Sequence, residues 1–508
     1  MTWPPKPYDT MLAKIEEHDA WYVGDPAKLA QIYQDSKASH KTRPSQLSGG
    51  LVGKVARFFW GRPTPAGQQR TRIHIPLGSD IATTSADLLF SEPPRILLPK
   101  LDADGTQDHP AQKRLEEIVG DPSFAATLVE GAEVQSAHGG VYLRIVWDKD
   151  LLDKPFLTVV AADGAIPKFL FGRLQSVMFW TIIHTEGQKI VRHVETHGKG
   201  WIQHQVFEGT ASELGNPVPL TEYSATSWAA VLVNEESRIP TGTERLTAAY
   251  VPNMLPQRTW RKILELAPLG RSDFDGVEAL FDAIDEVWSS WMRDIRLAKA
   301  RVFVDQNFLT TDGPGSGASF DDDQELFTAM PPSAGSMESD KPIDVAQFAI
   351  RVAEHQQTIQ ELTRAALRAA GFSPASLGDD SVSVQETATQ VKSKERLSDR
   401  TRDKKIRYWK SALTPLIQAM LEVDAAVFGP NKYDGKARPE VRFTEKAQQD
   451  VLELAETVAM LNSAEAISTE LKVRMVHPDW DKDKVDEEVE RIRSERSTVP
   501  EPFTERGL

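Results

Sequence analysis

A chain of 508 residues, 40% hydrophobic and 26% charged, can bury several cores, and no run of about eighteen apolar residues offers a helical bilayer span. Zero cysteines excludes disulfides, thiolate metal sites and cysteine nucleophiles together. The formal charge of −15 argues against a protein that grips nucleic acid by neutralising phosphates, although an acidic surface can still surround DNA without holding it. The opening MTWPPKPYDTMLAKIEEHD has no charged start, apolar middle and small-residue cleavage site, so export is not expected and the chain is expected to work where it is made. The stretch HDAWYVGDPAKLAQIY (18–33) predicts helix, loop and helix. GGVYLRIVWDKD and PFLTVVAADGAIPKF (139–169) are rich in β-branched and aromatic residues with turn signals between, which predicts a strand pair. VMFWTIIHTEG, KIVRHVETH and WIQHQVFEG predict further strands. Residues 1–272 therefore read as an α+β domain.

From Ser272 the pattern changes. Ser272 with Asp275 makes a capping box, Asp273 adds charge to the first turn, and Arg293, Arg296 and Lys299 gather at the far end, as the helix dipole favours. Phe274, Val277, Phe281, Ile284, Trp288, Trp291 and Ile295 follow at helical spacing, predicting a helix over 273–300 of about 42 Å. A strand-like start and a Gly-, Pro-, Ser- and Asp-rich insert occupy 301–342. Pro342 suits the first turn of a second helix over 343–371, with Val345, Phe348, Val352, His355, Ile359, Leu362 and Ala366 in steps of three and four. Two matched helices flanking an insert predict an antiparallel pair with a small module at its tip. The polar stretch GFSPASLGDDSVSVQETATQ (371–390) follows, longer than the connection of two to eight residues that a helix turn needs. A third long helix, bent at Pro415, is predicted from near Gln385 toward Phe428, within a segment of 385–437. Its nine Lys and Arg residues between Lys392 and Lys410 point around the helix, which predicts a solvated or inter-subunit salt-bridging face, with direct nucleic-acid contact as the alternative. Residues 438–508 hold two helical patterns and a tail.

Traces of catalysis are weak. GPGSGAS lacks the G-K-[ST] ending of a phosphate-binding loop, and AHGG (137–140) has no G-x-S-x-G nucleophile elbow to serve. The eleven histidines show no H-E-x-x-H. DDDQE (321–325) lacks EF-hand spacing and reads as a solvated acidic loop; a metal-dependent nuclease using Asp321, Asp322, Asp323 and Glu325 is the alternative from another class, and a helical scaffold or adaptor a third reading. His355 reads as a satisfied core or interface histidine, and Trp288 and Trp291 as packing groups between helices. No cofactor, no metal and no enzymatic activity are expected.

Taken in order, HDAWYVGDPAKLAQIY, RIHIPLGSDIATTSADLLFSEPPRI, GGVYLRIVWD, GRSDFDGVEALFDAIDEVWSSWMRDI, GFSPASLGDDSVSVQETATQV and EAISTELKVRMVHPDWDKDKVDEEVERI resemble stretches of the portal proteins of tailed bacteriophages, in the siphophage branch common in phages of actinobacteria. The resemblance implies an α+β portal fold assembling into a ring of twelve at one capsid vertex, through which double-stranded DNA is packaged and ejected. It implies a wing (1–272 and 385–437), two stem helices (273–300 and 343–371), a clip (301–342), a tunnel loop (372–384) and a crown with a C-terminal tail (438–508). The tunnel loop would bring Ser373, Pro374, Ser376, Leu377, Asp379, Asp380, Ser381 and Ser383 to the DNA. Phe281, Trp288, Trp291, Phe348, Val352, His355 and Ile359 would form the stem's subunit interface. Phe303, Asp305, Asp312, Asp321, Asp322 and Asp323 would lie in the clip, where the terminase large subunit and later the head–tail adaptor dock. Major capsid and scaffolding proteins are the other implied partners, with no membrane, and the implied location is the virion vertex after assembly in the host cytoplasm.

Overall fold

The computed structural model describes residues 2–38, 73–99, 110–297, 301–304, 310–311, 318–319, 343–346, 350–378, 388–429, 438–443, 451–464, 466–477, 480 and 482–497. The chain divides into two compact units, Met1–Arg442 and Phe443–Leu508. The described residues mix helix and sheet, as the sequence pattern predicts.

Helices α1 (Tyr8–Val23) and α2 (Pro26–Ala38) are the predicted helix–loop–helix. Gly24 ends α1 at φ 70°, and the Asp25 carboxylate then accepts from Ala27 N at 2.8 Å, with Pro26 in the first turn, where its missing N–H costs nothing. After α3 (Leu77–Phe90), β1 (Arg95–Leu97) and α4 (Pro110–Val119), α5 (Pro122–His138) is capped by Asp121, which accepts from Ser123 N. Gly139 closes α5 at φ 83°, and a Cβ there would stand 2.8 Å from the backbone nitrogen of Ser272. Only glycine lets the segment before the first long helix pass this close.

Strands β2 (Gly140–Val146) and β3 (Phe156–Ala161) pair antiparallel, with β10 (Ala248–Pro252) on the other side of β2. A second, antiparallel sheet runs β4 (Ala165–Leu170), β5 (Arg173–Glu186), β6 (Lys189–Gly198), β7 (Trp201–Gly209) and β8 (Asn216–Val218), and β9 (Arg238–Pro240) also pairs with β7. Gly198 faces Trp201 in the β6–β7 register, so Lys199 and Gly200 form a two-residue hairpin loop, and Gly200 has the positive φ, 85°, that such a loop requires.

The first long helix, α6 (Glu278–Leu297), starts five residues after the predicted 273. Gly276 sits at φ 85° and interrupts the turn, and Glu278 then accepts from its N–H at 2.8 Å. Ser272 Oγ does accept from Phe274 N, but Asp273 is buried and is not a first-turn surface charge. The second predicted helix is also shorter. Residues Ile343–Ala346 form β14, paired antiparallel with β11 (Arg301–Val304), so that Val302 faces Val345 and Val304 faces Ile343. Alternating β-branched residues on both strands favour this ladder over the helix start suggested by Pro342. Between them β12 (Thr310–Thr311) pairs with β13 (Ala318–Ser319). Helix α7 begins at Val352 and ends at Ala370. Asp294 near the end of α6 bonds His355 near the start of α7, while Phe281 and Ala366 share one core, so the two helices run antiparallel.

Helix α8 (Ala388–Val427) carries Pro415 inside it and is about 60 Å long at 1.5 Å per residue. The helix ends next to the predicted Phe428, where Phe428 and Gly429 both donate to Asp424 O. Strand β15 (Glu440–Arg442) then pairs with β1, Val441 opposite Ile96, so the first unit extends beyond the predicted boundary at 438. The second unit holds α9 (Val451–Ser463), α10 (Thr469–Val476), capped by Ser468, and α11 (Lys482–Ser497). Val473, Val485 and Val489 are buried together between the last two.

Candidate functional site

The helix pair is rooted in a buried apolar core. Phe274, Val277, Phe281 and Ile284 pack with Trp21, Leu29 and Ile81 on one side and Ala366, Leu367 and Phe372 on the other. Lys14 Nζ donates to Glu278 at 2.7 Å and His18 Nε2 lies 3.1 Å from the same carboxylate, tying α1 to the root. These partners outweigh burial and hold the Glu278 carboxyl down at about 2.

Farther along, the packing thins. Trp288 and Trp291 lie 5.2 Å apart, and Trp291 stacks on His355 at 5.9 Å and 10°. His355 Nε2 bonds Asp294 at 3.0 Å, and Arg351 adds a second bond at 2.9 Å; the two hold the Asp294 carboxyl below the ordinary range. Phe281 and His355, expected at a subunit interface, are buried inside this chain. Trp288, Trp291 and Ile359 are half-buried, Val352 and Ile295 remain 46% and 40% exposed, and Trp291 Nε1 has no hydrogen-bond partner among the described residues. Phe348 lies outside the described residues, as do Asp305, Asp312, Asp321, Asp322 and Asp323. Phe303 stands opposite Asp344 in the β11–β14 ladder.

The polar segment after α7 begins docked. Gly371 caps the helix at φ 90°, and its carbonyl accepts from Thr401 Oγ1 at 2.7 Å. Phe372 is 1% exposed. Ser373 N donates to Ser398 Oγ and Ser376 Oγ bonds the same hydroxyl, each at 2.8 Å, around a 3-10 turn over Pro374–Leu377. Ser373, Pro374, Ser376 and Leu377 are thus seated on α8 and do not project freely, because one apolar ring and three hydroxyls give this end of the segment partners. Asp379, Asp380, Ser381 and Ser383 lie outside the described residues.

Lys405 stands where the root of α6, the end of α7 and the middle of α8 meet. It belongs to the basic stretch predicted as a solvated face, yet its side chain is 1% exposed. Its ammonium donates to Asp273 Oδ2, equally buried, and to Ser85 Oγ on α3 at 2.6 Å, and it lies 5.5 Å from the Phe372 ring. Asp273 also accepts from Ser136 Oγ on α5 at 2.6 Å and from Asn253 Nδ2 at 2.9 Å. Burial pushes the Lys405 ammonium below the usual lysine range, against the pull of Asp273. One turn on, the buried Trp409 donates to Gln135 Oε1 at 2.8 Å.

A second buried polar group sits in the larger sheet and escapes motif reading because its members meet only through strand register. His193 Nε2 and His204 Nδ1 lie 3.1 Å apart with rings stacked at 12°, and Glu195 links His197 at 2.6 Å to Arg144 at 2.7 Å. Burial pushes His204 down to about 4 from its usual 6.5, and His193 is lowered for the same reason. A histidine lowered on folding binds fewer protons than in the unfolded chain, so stability is lost as pH falls from about 6.5 toward about 4. For His204 alone the loss between about pH 7 and 5 is roughly 2 kcal/mol. Urea unfolding at these two pH values is expected to show the lower midpoint at the acidic one, with the difference reduced in His204→Phe; equal midpoints for the wild type would contradict this.

The sequence model of the family described as phage portal protein, SPP1 Gp6-like, matches residues 8–501. No curated protein matches the chain. Among solved structures, the chain is similar at 13% identity and a TM-score of 0.42 to a chain from the neck of an empty GTA particle computed with C6 symmetry, covering 79% of this chain and 90% of that one. A chain from the neck of the native GTA particle computed with C12 symmetry is similar at 10% identity and 0.39, over 84% and 92%. One from the virion of the native gene transfer agent particle is similar at 12% and 0.40, over 84% and 99%.

Proposed function

Because this chain belongs to the phage portal protein family of the SPP1 Gp6-like type, we propose that twelve copies close into a ring at one capsid vertex and form the channel for packaging and ejecting double-stranded DNA. The observation that carries the ring is the far half of the α6–α7 pair. Val352 and Ile295 are exposed there beside the half-buried Trp288, Trp291 and Ile359, and the Trp291 N–H is unpartnered among the described residues. An apolar stripe of this kind is satisfied when neighbouring copies pack against it. The role is structural. A separate motor, the terminase large subunit, moves the DNA and docks on residues 301–342, which the head–tail adaptor occupies later. The ring contacts the major capsid and scaffolding proteins and resides in the virion.

The charge of −15 per chain, repeated around a ring, repels phosphates over about 8 Å at physiological salt. Weak adhesion keeps friction low. We assign the DNA-facing part of the polar segment to Asp379, Asp380, Ser381 and Ser383, which lie outside the described residues. Reversing Asp379→Lys with Asp380→Lys adds phosphate contacts, and packaging is expected to slow on the order of tenfold at about 50 mM salt and to recover toward about 200 mM. A normal rate at both salt concentrations would remove these two residues from the channel wall.

A further inference from the structure

We propose that Lys405 and Asp273 are a positioning pair whose ion bond fixes the register of α8 on the root of the α6–α7 helix pair, and that it is retained for that register and not for stability. The proposal deepens the channel reading, on which its functional consequence rests, by naming the contact through which movement of the helix pair reaches α8.

Placing both charges out of water is costly, and apolar side chains of similar volume fill such sites at equal or better stability. The surroundings would accept them: Phe274 adjoins Asp273 in sequence, Phe372 lies beside the ammonium, and Trp409 one turn on is fully buried. A charge retained here therefore calls for another reason. Along α8 the buried stripe reads Ser398, Thr401, Lys405, Trp409, Leu413 and Leu416, in steps of three and four. Apolar and hydroxyl contacts alone tolerate a slip by one turn. Such a slip would bring Thr401 or Trp409 to Asp273, and neither can answer a carboxylate with a charge. One buried lysine on the stripe thus acts as an address, as a single buried polar residue does in a coiled coil. Asp273 is itself fixed by Ser136 and Asn253, from two other elements, so the address is read against a rigid frame. Gly371 and Ser373 bond Thr401 and Ser398 on the same stripe, so the end of α7 takes its place from the same register.

The test is the double variant Lys405→Met with Asp273→Asn, which removes both charges, keeps the side-chain volumes, and leaves an amide oxygen to accept from Asn253 and an amide N–H to donate to the Ser136 hydroxyl. It is made in the full chain and studied as the purified assembly. Its urea midpoint is expected to equal that of the wild type, while backbone amides between 398 and 413 exchange about tenfold faster and the yield of packaged DNA falls. Exchange within about twofold of the wild type would overturn the proposal. So would a midpoint as low as that of Lys405→Met alone, which would make the pair structural glue. Exchange reads the joint whether or not DNA moves; a wild-type chain that never packages DNA would count against the channel reading instead.

Discussion

Val352→Asp combined with Ile295→Asp is expected to abolish ring formation and leave the folded subunit intact. Both side chains are exposed in the single chain, at 46% and 40%, so a charge there costs the monomer little, within about 0.5 kcal/mol. In a ring the same carboxylates would be buried on an apolar seam without a partner. Several kcal/mol per site is the usual cost of an unpaired buried charge, enough to weaken association on the order of a hundredfold or more. Light scattering across a concentration series, with circular dichroism as the control for folding, gives the answer. Rings of normal size from the variant would show that the far half of the helix pair faces solvent.

Lys405→Met alone is expected to be the most damaging substitution of a single side chain at the joint. It leaves Asp273 charged, buried and without its cation, and removal of one member of a buried pair costs about 3–5 kcal/mol. The soluble yield of the subunit is expected to fall sharply and the remainder to unfold at lower urea. Asp273→Asn added to this variant restores the midpoint, because the orphan charge is then gone. A single variant as stable as the wild type would mean that water reaches Asp273.

The hairpin strands and the two long helices were legible because their signals are local. The stripe from Phe274 to Ile295 follows helical spacing, and the β6–β7 hairpin announces itself in β-branched runs either side of Lys199 and Gly200. What escaped depends on distant partners. Asp273 reads as a first-turn charge, yet its cation is Lys405, 132 positions away. Residues 343–346 read as helix until β11 supplies the complementary strand. Phe372 is one aromatic in a polar stretch, and nothing local says that the following serines find hydroxyl partners on α8. The basic island reads as a uniform surface because nine charges wind around the helix; Lys405 is drawn inside by Asp273, Ser85 and Phe372, and Arg402, also buried, donates to the Leu88 carbonyl. His193 and His204 sit on neighbouring strands, so no linear spacing reveals them.

Electron microscopy of the purified protein, viewed end on, is expected to show closed twelvefold rings with a central opening that admits duplex DNA. Particles that stay single at every concentration and salt, or discs with no opening, would contradict the proposed ring.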